Sequence, residues 1–183
     1  MANVLIPLAQ GCEELEAVTL IDILRRGGIE VVTAGLTEGQ VKASRGTVLV
    51  PDVLLDDVLD RDFDMVLLPG GLPGSDYLNE DLRIIRLIQN NVEQQRRVGA
   101  ICAAPKVLVT AGVLKGRRAT AYPGVLSDIA EVAGVAAVSD AIVQDGLVMT
   151  SRGPGTALDF ALEIVTVLAG QAKREEVEAA LVR

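Results

Sequence analysis

Short β-branched, apolar runs alternate with longer segments whose apolar residues return every three or four positions, and few folds accept that alternation. Residues 4–8, 29–34, 63–68 and 97–101 are mostly apolar, as strands covered on both faces must be. Residues 14–26 place apolar side chains at 15, 18, 20, 21, 23 and 24. They end on Arg25-Arg26-Gly27-Gly28, the basic last turn and glycine stop of a helix. Residues 82–92, 105–111 and 154–168 also read as helices, with a shorter one at 175–181. Residues 41–43 and 47–50 form a short hairpin around Ser44-Arg45-Gly46. Residues 119–122, 141–144 and 147–150 supply further strands, the last two joined at Asp145-Gly146, a favoured hairpin dipeptide. Helical crossovers between apolar strands specify an α/β fold, a doubly wound and mostly parallel sheet with helices on both faces. With 183 residues and no linker, repeat or low-complexity tract, one domain over residues 1–183 is expected.

Composition then removes much of the chemistry such a fold can host. The chain contains no histidine, so Ser-His-Asp and Cys-His catalysis, imidazole proton shuttling and His-ligated metal are all excluded. Acid–base work falls to carboxylates, a thiol, tyrosine, lysine or water. A net charge of −8 and only two Phe, two Tyr and no Trp argue against a nucleic-acid groove or a flavin stacking site. Cys12 and Cys102 are too few for a disulfide scaffold and lack zinc spacing. No cofactor and no metal are expected. The first residues lack a basic leader, and no apolar run approaches the length of a membrane span. The expectation is a reduced, cytoplasmic, membrane-free protein.

Ligands of doubly wound sheets bind beyond the carboxyl ends of the strands, and four of these ends carry unusual residues. They are Gly11-Cys12-Glu13-Glu14-Leu15-Glu16, Pro69-Gly70-Gly71, Cys102-Ala103-Ala104-Pro105 and Ser151-Arg152-Gly153-Pro154-Gly155. Cys102 stands between a strand and a helix among small residues, as a nucleophile on a tight elbow would. A helix N-terminus there would lower the thiol pKa; the competing reading is a buried core cysteine. Glu13 and Glu14 are explained by the dipole of the helix they open. Glu16, turned toward the thiol, would be desolvated, raised in pKa and able to pass a proton without imidazole. Gly70 and Gly71 either make a plain turn or expose N–H groups to an oxyanion. They match neither the dinucleotide fingerprint nor the phosphate loop. Residues 151–155 suit an anion-facing helix start or simple packing. Arg26 and Arg45 read locally as solvated charges, and Cys12 as an unpaired thiol.

Taken together, residues 11–18, 68–71, 100–105 and 150–156, with Ala34-Gly35-Leu36 and Ser44-Arg45-Gly46, resemble the ThiJ/PfpI superfamily. The likeness is to its Parkinson's-disease-associated branch and to YajL-like members, and it runs over nearly the whole chain. The resemblance implies a flavodoxin-like sandwich forming a homodimer, with Cys102 the oxidation-sensitive nucleophile and Glu16 hydrogen-bonded to its sulfur. It implies backbone donors at Gly70, Gly71 and Ala103, and an anion-binding region at Arg45, across the dimer interface, and at Arg26. Tyr122 stands near the nucleophile where several members carry His, which departs from the Cys-His peptidase pattern. Two functions are implied. One is glutathione-independent deglycase or glyoxalase activity on methylglyoxal, glyoxal or their early adducts on proteins and nucleotides. The other is a redox-sensing chaperone for unfolding clients, in which Cys102 is oxidised to sulfinate without turnover.

Overall fold

A computed structural model describes residues 1–183. The chain opens with strand β1 (Asn3–Leu8), helix α1 (Glu14–Arg26) and strand β2 (Glu30–Gly35). A small hairpin, β3 (Val41–Lys42) with β4 (Val48–Leu49), stands apart from the main sheet; then come β5 (Val53–Leu54) and β6 (Met65–Leu68). Helices α2 (Gly74–Glu80) and α3 (Leu82–Glu93), strand β7 (Arg97–Ile101) and helix α4 (Pro105–Thr110) follow. Next are β8 (Arg118–Ala119), α5 (Ala130–Ala133) and β9 (Ala136–Ala137), and the hairpin β10 (Ile142–Asp145) and β11 (Val148–Ser151). Helices α6 (Ala157–Ala169) and α7 (Gln171–Ala180) close the chain.

The main sheet has the order β10-β11-β7-β6-β1-β2-β5. Every neighbouring pair is parallel except β10 with β11. Strand periodicity sorts its side chains into two cores. Val4, Ile6, Met65 and Leu67 join residues of α1 and α6 on one face; Leu5, Val66, Leu68 and Val98 join those of α3 and α4 on the other. The chain leaves β1 in one direction, through β2 and β5, and returns to β6 on the opposite side. The switch in strand order therefore lies between β1 and β6, where such sheets open a crevice. No helix is long and apolar enough to cross a membrane.

The structure departs from the sequence expectation in a few segments. Of residues 119–122, only Ala119 pairs, in a separate two-stranded ladder of β8 with β9. The chain there crosses the ends of β7 and β11, so its donors go elsewhere: Thr120 N–H to Thr150 Oγ1 at 3.0 Å and Tyr122 N–H to the Cys102 carbonyl at 2.8 Å. The helix expected from 154 begins as a 3-10 turn (Pro154–Thr156) and becomes α-helical at Ala157. The final helix starts earlier than its periodicity suggests, because Gly170 ends α6 at φ +92° and α7 begins at once. Strand β5 and helices α2 and α5 are additions. Asp81 both ends α2 and caps α3, its carboxylate accepting the Arg83 N–H at 2.9 Å.

Candidate active site

Strand β7, the neighbour of β6, delivers Cys102 beside the topological switch. Its backbone sits at φ +63°, one of three non-glycine residues with positive φ, a left-handed geometry that strains a residue with a Cβ by about 1 kcal/mol or more. Two backbone bonds hold that elbow. The Cys102 N–H donates to the Ser151 carbonyl at 3.0 Å, and its own carbonyl accepts the Tyr122 N–H. The side chain is nearly buried, at 8% exposure.

Helix α1 brings Glu16 to the same place, fully buried. Its Oε2 accepts the Gly70 N–H at 2.8 Å. Oε1 is buried with no hydrogen-bond partner, and the Cys102 thiol lies close enough to act on the carboxyl group. Gly70 makes the approach possible. A Cβ at that position would lie 2.6 Å from Cys102 Cβ, 2.6 Å from Glu16 Oε2 and 2.8 Å from the Ile101 carbonyl oxygen.

Burial acts on both groups of the pair. Burial pushes the Glu16 carboxyl up to about 7, as its sequence context suggests, even though bonds from Cys102 and Gly70 oppose the shift. The thiol departs from expectation: burial and the adjacent Glu16 charge push Cys102 up to about 12. The helix end that should have lowered it is weak, since α4 has six residues and begins three residues beyond the cysteine. The N–H groups of Gly71 and Ala103, both directed at Cys102, oppose the rise without cancelling it. With Glu16 protonated and Cys102 a thiolate, the pair would hold a proton in its other placement. The repelling charge is then gone and both N–H donors remain.

Gly70 consequently has a different part from the one its sequence suggests. Its N–H is taken by Glu16 and is not free for an oxyanion; Gly71 and Ala103 remain as donors at the sulfur. Cys12 lies wholly buried in the β1–α1 turn and unpaired, its thiol pushed up to about 11 by burial and by Glu14 and Glu13. Tyr122 is half-exposed beside the Cys102 backbone. Arg26 is not brought to the site: it pairs with Asp22 at 2.7 Å at the far end of α1, about 15 Å along the helix from Glu16. Arg45 stands exposed at the β3–β4 tip, its N–H donating to the Glu14 carboxylate at 2.9 Å. Partial burial works against ionisation of Glu14. The N–H groups of Glu14, Arg45 and Thr47 and the Ser44 hydroxyl outweigh it and hold the carboxyl down at about 2. No group of three His, Cys, Asp or Glu side chains is placed to hold a metal ion.

Glu13 does more than complement the dipole. Its carboxylate accepts the Glu16 N–H at 2.7 Å, and its own N–H donates to the Gly70 carbonyl at 2.9 Å. With Gly70 N–H on Glu16, the three residues close a ring of hydrogen bonds that clamps α1 to the end of β6. The Glu-x-x-Glu spacing at the helix start is the signal; it has the spacing of a capping box, but the Gly70 carbonyl takes the place of the return bond from Glu16 to the Glu13 N–H. Glu13→Ala is expected to lose about 1 kcal/mol of stability in chemical denaturation, the ordinary value of an N-cap. It also removes a negative charge that raises the Glu16 pKa. The pH midpoint of Cys102 alkylation by iodoacetamide should therefore fall; an unchanged midpoint would exclude Glu13 from the site's electrostatics.

The buried Glu16 carboxyl and the Cys102 thiol lie in a chain that is similar to known proteins over nearly its whole length. Residues 2–167 match the model of the DJ-1/PfpI family. The protein dj-1beta of Drosophila melanogaster is 43% identical over 177 residues, covering 96% of this chain and 94% of that protein. The crystal structure of DJ-1beta from the same organism superposes with a TM-score of 0.92 at 41% identity, covering 99% of this chain and 97% of that one. A glutathione-independent glyoxalase of Caenorhabditis elegans, DJR-1.2, is 40% identical over 172 residues, covering 94% and 90%. The DJ-1 homolog A of Arabidopsis thaliana is 40% identical over 98% of this chain, which spans only 46% of that longer protein. Sequence and fold agree, and the chain belongs to the DJ-1/PfpI family.

Proposed function

We propose that this protein is a cysteine-dependent glyoxalase or deglycase that needs no glutathione and acts on methylglyoxal, glyoxal or their early adducts. The observation that carries the reading is the placement of the Cys102 thiol beside the fully buried Glu16 carboxyl, where a Cβ on Gly70 would touch both, in a chain without imidazole. The glyoxalase activity named for the Caenorhabditis elegans relative supports it.

With methylglyoxal, the Cys102 thiolate adds to the aldehyde carbon and the resulting alkoxide takes the Glu16 proton, giving a hemithioacetal. The Glu16 carboxylate then removes the hydrogen from that carbon to form an enediol and returns it to the adjacent carbon. The product is a lactoyl thioester on Cys102. Water adds to it and releases lactate and the thiol, so the step consumes one water and no redox partner. Gly71 and Ala103 supply the N–H groups nearest the developing oxyanions.

The reading includes a homodimer. Leu15 and Val18 on α1 and Val48 and Val50 on the hairpin are 51%, 45%, 51% and 72% exposed. Glu14 ties these two elements together beside the site. A second copy seated there would cover the apolar side chains and bring Arg45 toward the neighbouring copy. Sedimentation of the purified protein as a single chain would remove this part.

The deciding experiment is direct measurement of lactate formed from methylglyoxal, with Cys102→Ser as the blank. Disappearance of the aldehyde is insufficient, because thiols and arginines trap it reversibly. Catalytic lactate in the wild type, absent in the variant, is expected. No lactate beyond the blank would overturn the enzymatic reading and leave oxidation of Cys102 as the site's chemistry.

A further inference from the structure

A cavity of about 520 Å³ is not lined by Cys102 and is not used by the reaction above. It lies between the segment that follows β8 and the segment that precedes β10, and Arg152 contributes to its lining. Both walls are fastened to the nucleophile's own backbone. Tyr122 donates its N–H to the Cys102 carbonyl, and Ser151, next to Arg152, accepts the Cys102 N–H. The Tyr122 ring also lies against Gly153, where an added Cβ would be 3.3 Å from Cδ2. The cavity wall is thus one backbone hydrogen bond away from Cys102.

The lining carries an uncompensated positive charge. Asp140 is its one acid and is already paired with Arg118 at 2.9 Å. Arg152 has no carboxylate partner; its side chain makes one hydrogen bond, to the Ser139 carbonyl at 2.6 Å, which orients the guanidinium without neutralising it. In a chain of net charge −8, an unpaired arginine in a cavity is a local attraction for anions, and its planar fork suits carboxylate or phosphate. The Ser127 and Ser139 residues add polar groups to the same wall. Volume points the same way. Cavities of some hundreds of Å³ accommodate molecules much larger than methylglyoxal, which has five non-hydrogen atoms.

We propose that the Tyr122–Arg152 cavity is a substrate subsite that receives a carboxylate or phosphate carried by the molecule whose carbonyl carbon is attacked by Cys102. The inference rests on the assignment of Cys102 as nucleophile and deepens it, naming the substrate class as anion-bearing aldehydes or adducts.

Two four-carbon aldehydes test it: 4-oxobutanoate, which ends in a carboxylate, and butanal, which ends in a methyl group. Each adds reversibly to Cys102 and protects it from iodoacetamide. The wild type should be protected by roughly tenfold less 4-oxobutanoate than butanal, as expected for one charge-assisted contact. Added salt should narrow the difference, Arg152→Met should abolish it, and Arg152→Lys should retain part of it. Equal protection by the two aldehydes, or a preference that survives Arg152→Met, overturns the subsite. Titration with succinate followed by NMR gives the same decision without reaction at sulfur. Saturable shifts at Arg152 and Tyr122 support the subsite, and their absence up to tens of millimolar refutes it. Lactate formation without any anion preference would sink the subsite alone, whereas anion preference without lactate would sink the enzymatic reading alone.

Discussion

Glu16→Gln is expected to make the protein more stable at pH 8 while removing its activity. Glu16 is fully buried, and its carboxyl titrates at about 7 in the folded chain against the ordinary 4.5. Its folded-state pKa is raised, so the native state holds the proton more tightly than the unfolded chain. The stabilisation is complete below about pH 4.5 and is lost as pH rises to 7. Above that pH the wild type buries a carboxylate with one unpartnered oxygen. Glutamine still accepts the Gly70 N–H and carries no charge. At pH 8 the variant should gain about 2–3 kcal/mol, given roughly 1.4 kcal/mol for each tenfold change in proton affinity, which raises Tm by roughly 5–10 °C in a domain of this size. At pH 5 the gain should nearly vanish. Turnover should fall by about 10²–10⁴-fold, the usual contribution of a positioned acid–base group. Alkylation of Cys102 should lose its inflection near pH 7. A variant less stable than wild type at both pH values would show that the carboxylate is compensated by something other than the thiol.

Such a result would mark Glu16 as a residue whose function opposes stability, and it bears on what the sequence could reveal. The sheet was legible because its strands are apolar on both faces and its helices are amphipathic. Both patterns follow from burial, which composition encodes locally. Cys102 and Glu16 were legible because small residues and a first-turn carboxylate at strand ends are chemically odd. The thiol's pKa was not, since helix position and burial act in opposite directions and only the fold sets their balance. Gly70 was mistaken for an oxyanion donor for a related reason. A glycine's N–H has no preference in sequence, and its partner, Glu16, is 54 residues away. Residues 120–122 carry strand propensity, yet their donors are spent on Thr150 and on Cys102. Helix α2 escaped notice because Pro69-Gly70-Gly71-Leu72-Pro73-Gly74 reads as loop, while Ser75 and Leu78 are fully buried beneath it.

Gly70→Ala isolates the geometry of the pair from its chemistry, because both reacting groups remain in the chain. The position does not require positive φ, so alanine meets no backbone objection and the effect is purely steric. Its methyl group would stand 2.6 Å from both Cys102 Cβ and Glu16 Oε2, and 2.8 Å from the Ile101 carbonyl oxygen. The carbonyl belongs to β7 and the Cys102 Cβ to a backbone-fastened elbow, so the carboxyl group must yield. Displacing it breaks the Gly70–Glu16 bond and opens the proton path to sulfur. Misplacement by about 1 Å can reduce turnover 10²-fold, and overpacking costs about 1–3 kcal/mol. Gly99→Ala supplies the comparison. Its methyl group would press only on the side-chain ends of Met65 and Leu67, so it should lose stability of similar size yet keep the alkylation inflection near pH 7. If Gly70→Ala retained that inflection and lost only stability, the proton would not pass between Glu16 and Cys102. The clamp around Gly70 would then be a packing device for α1 and β6.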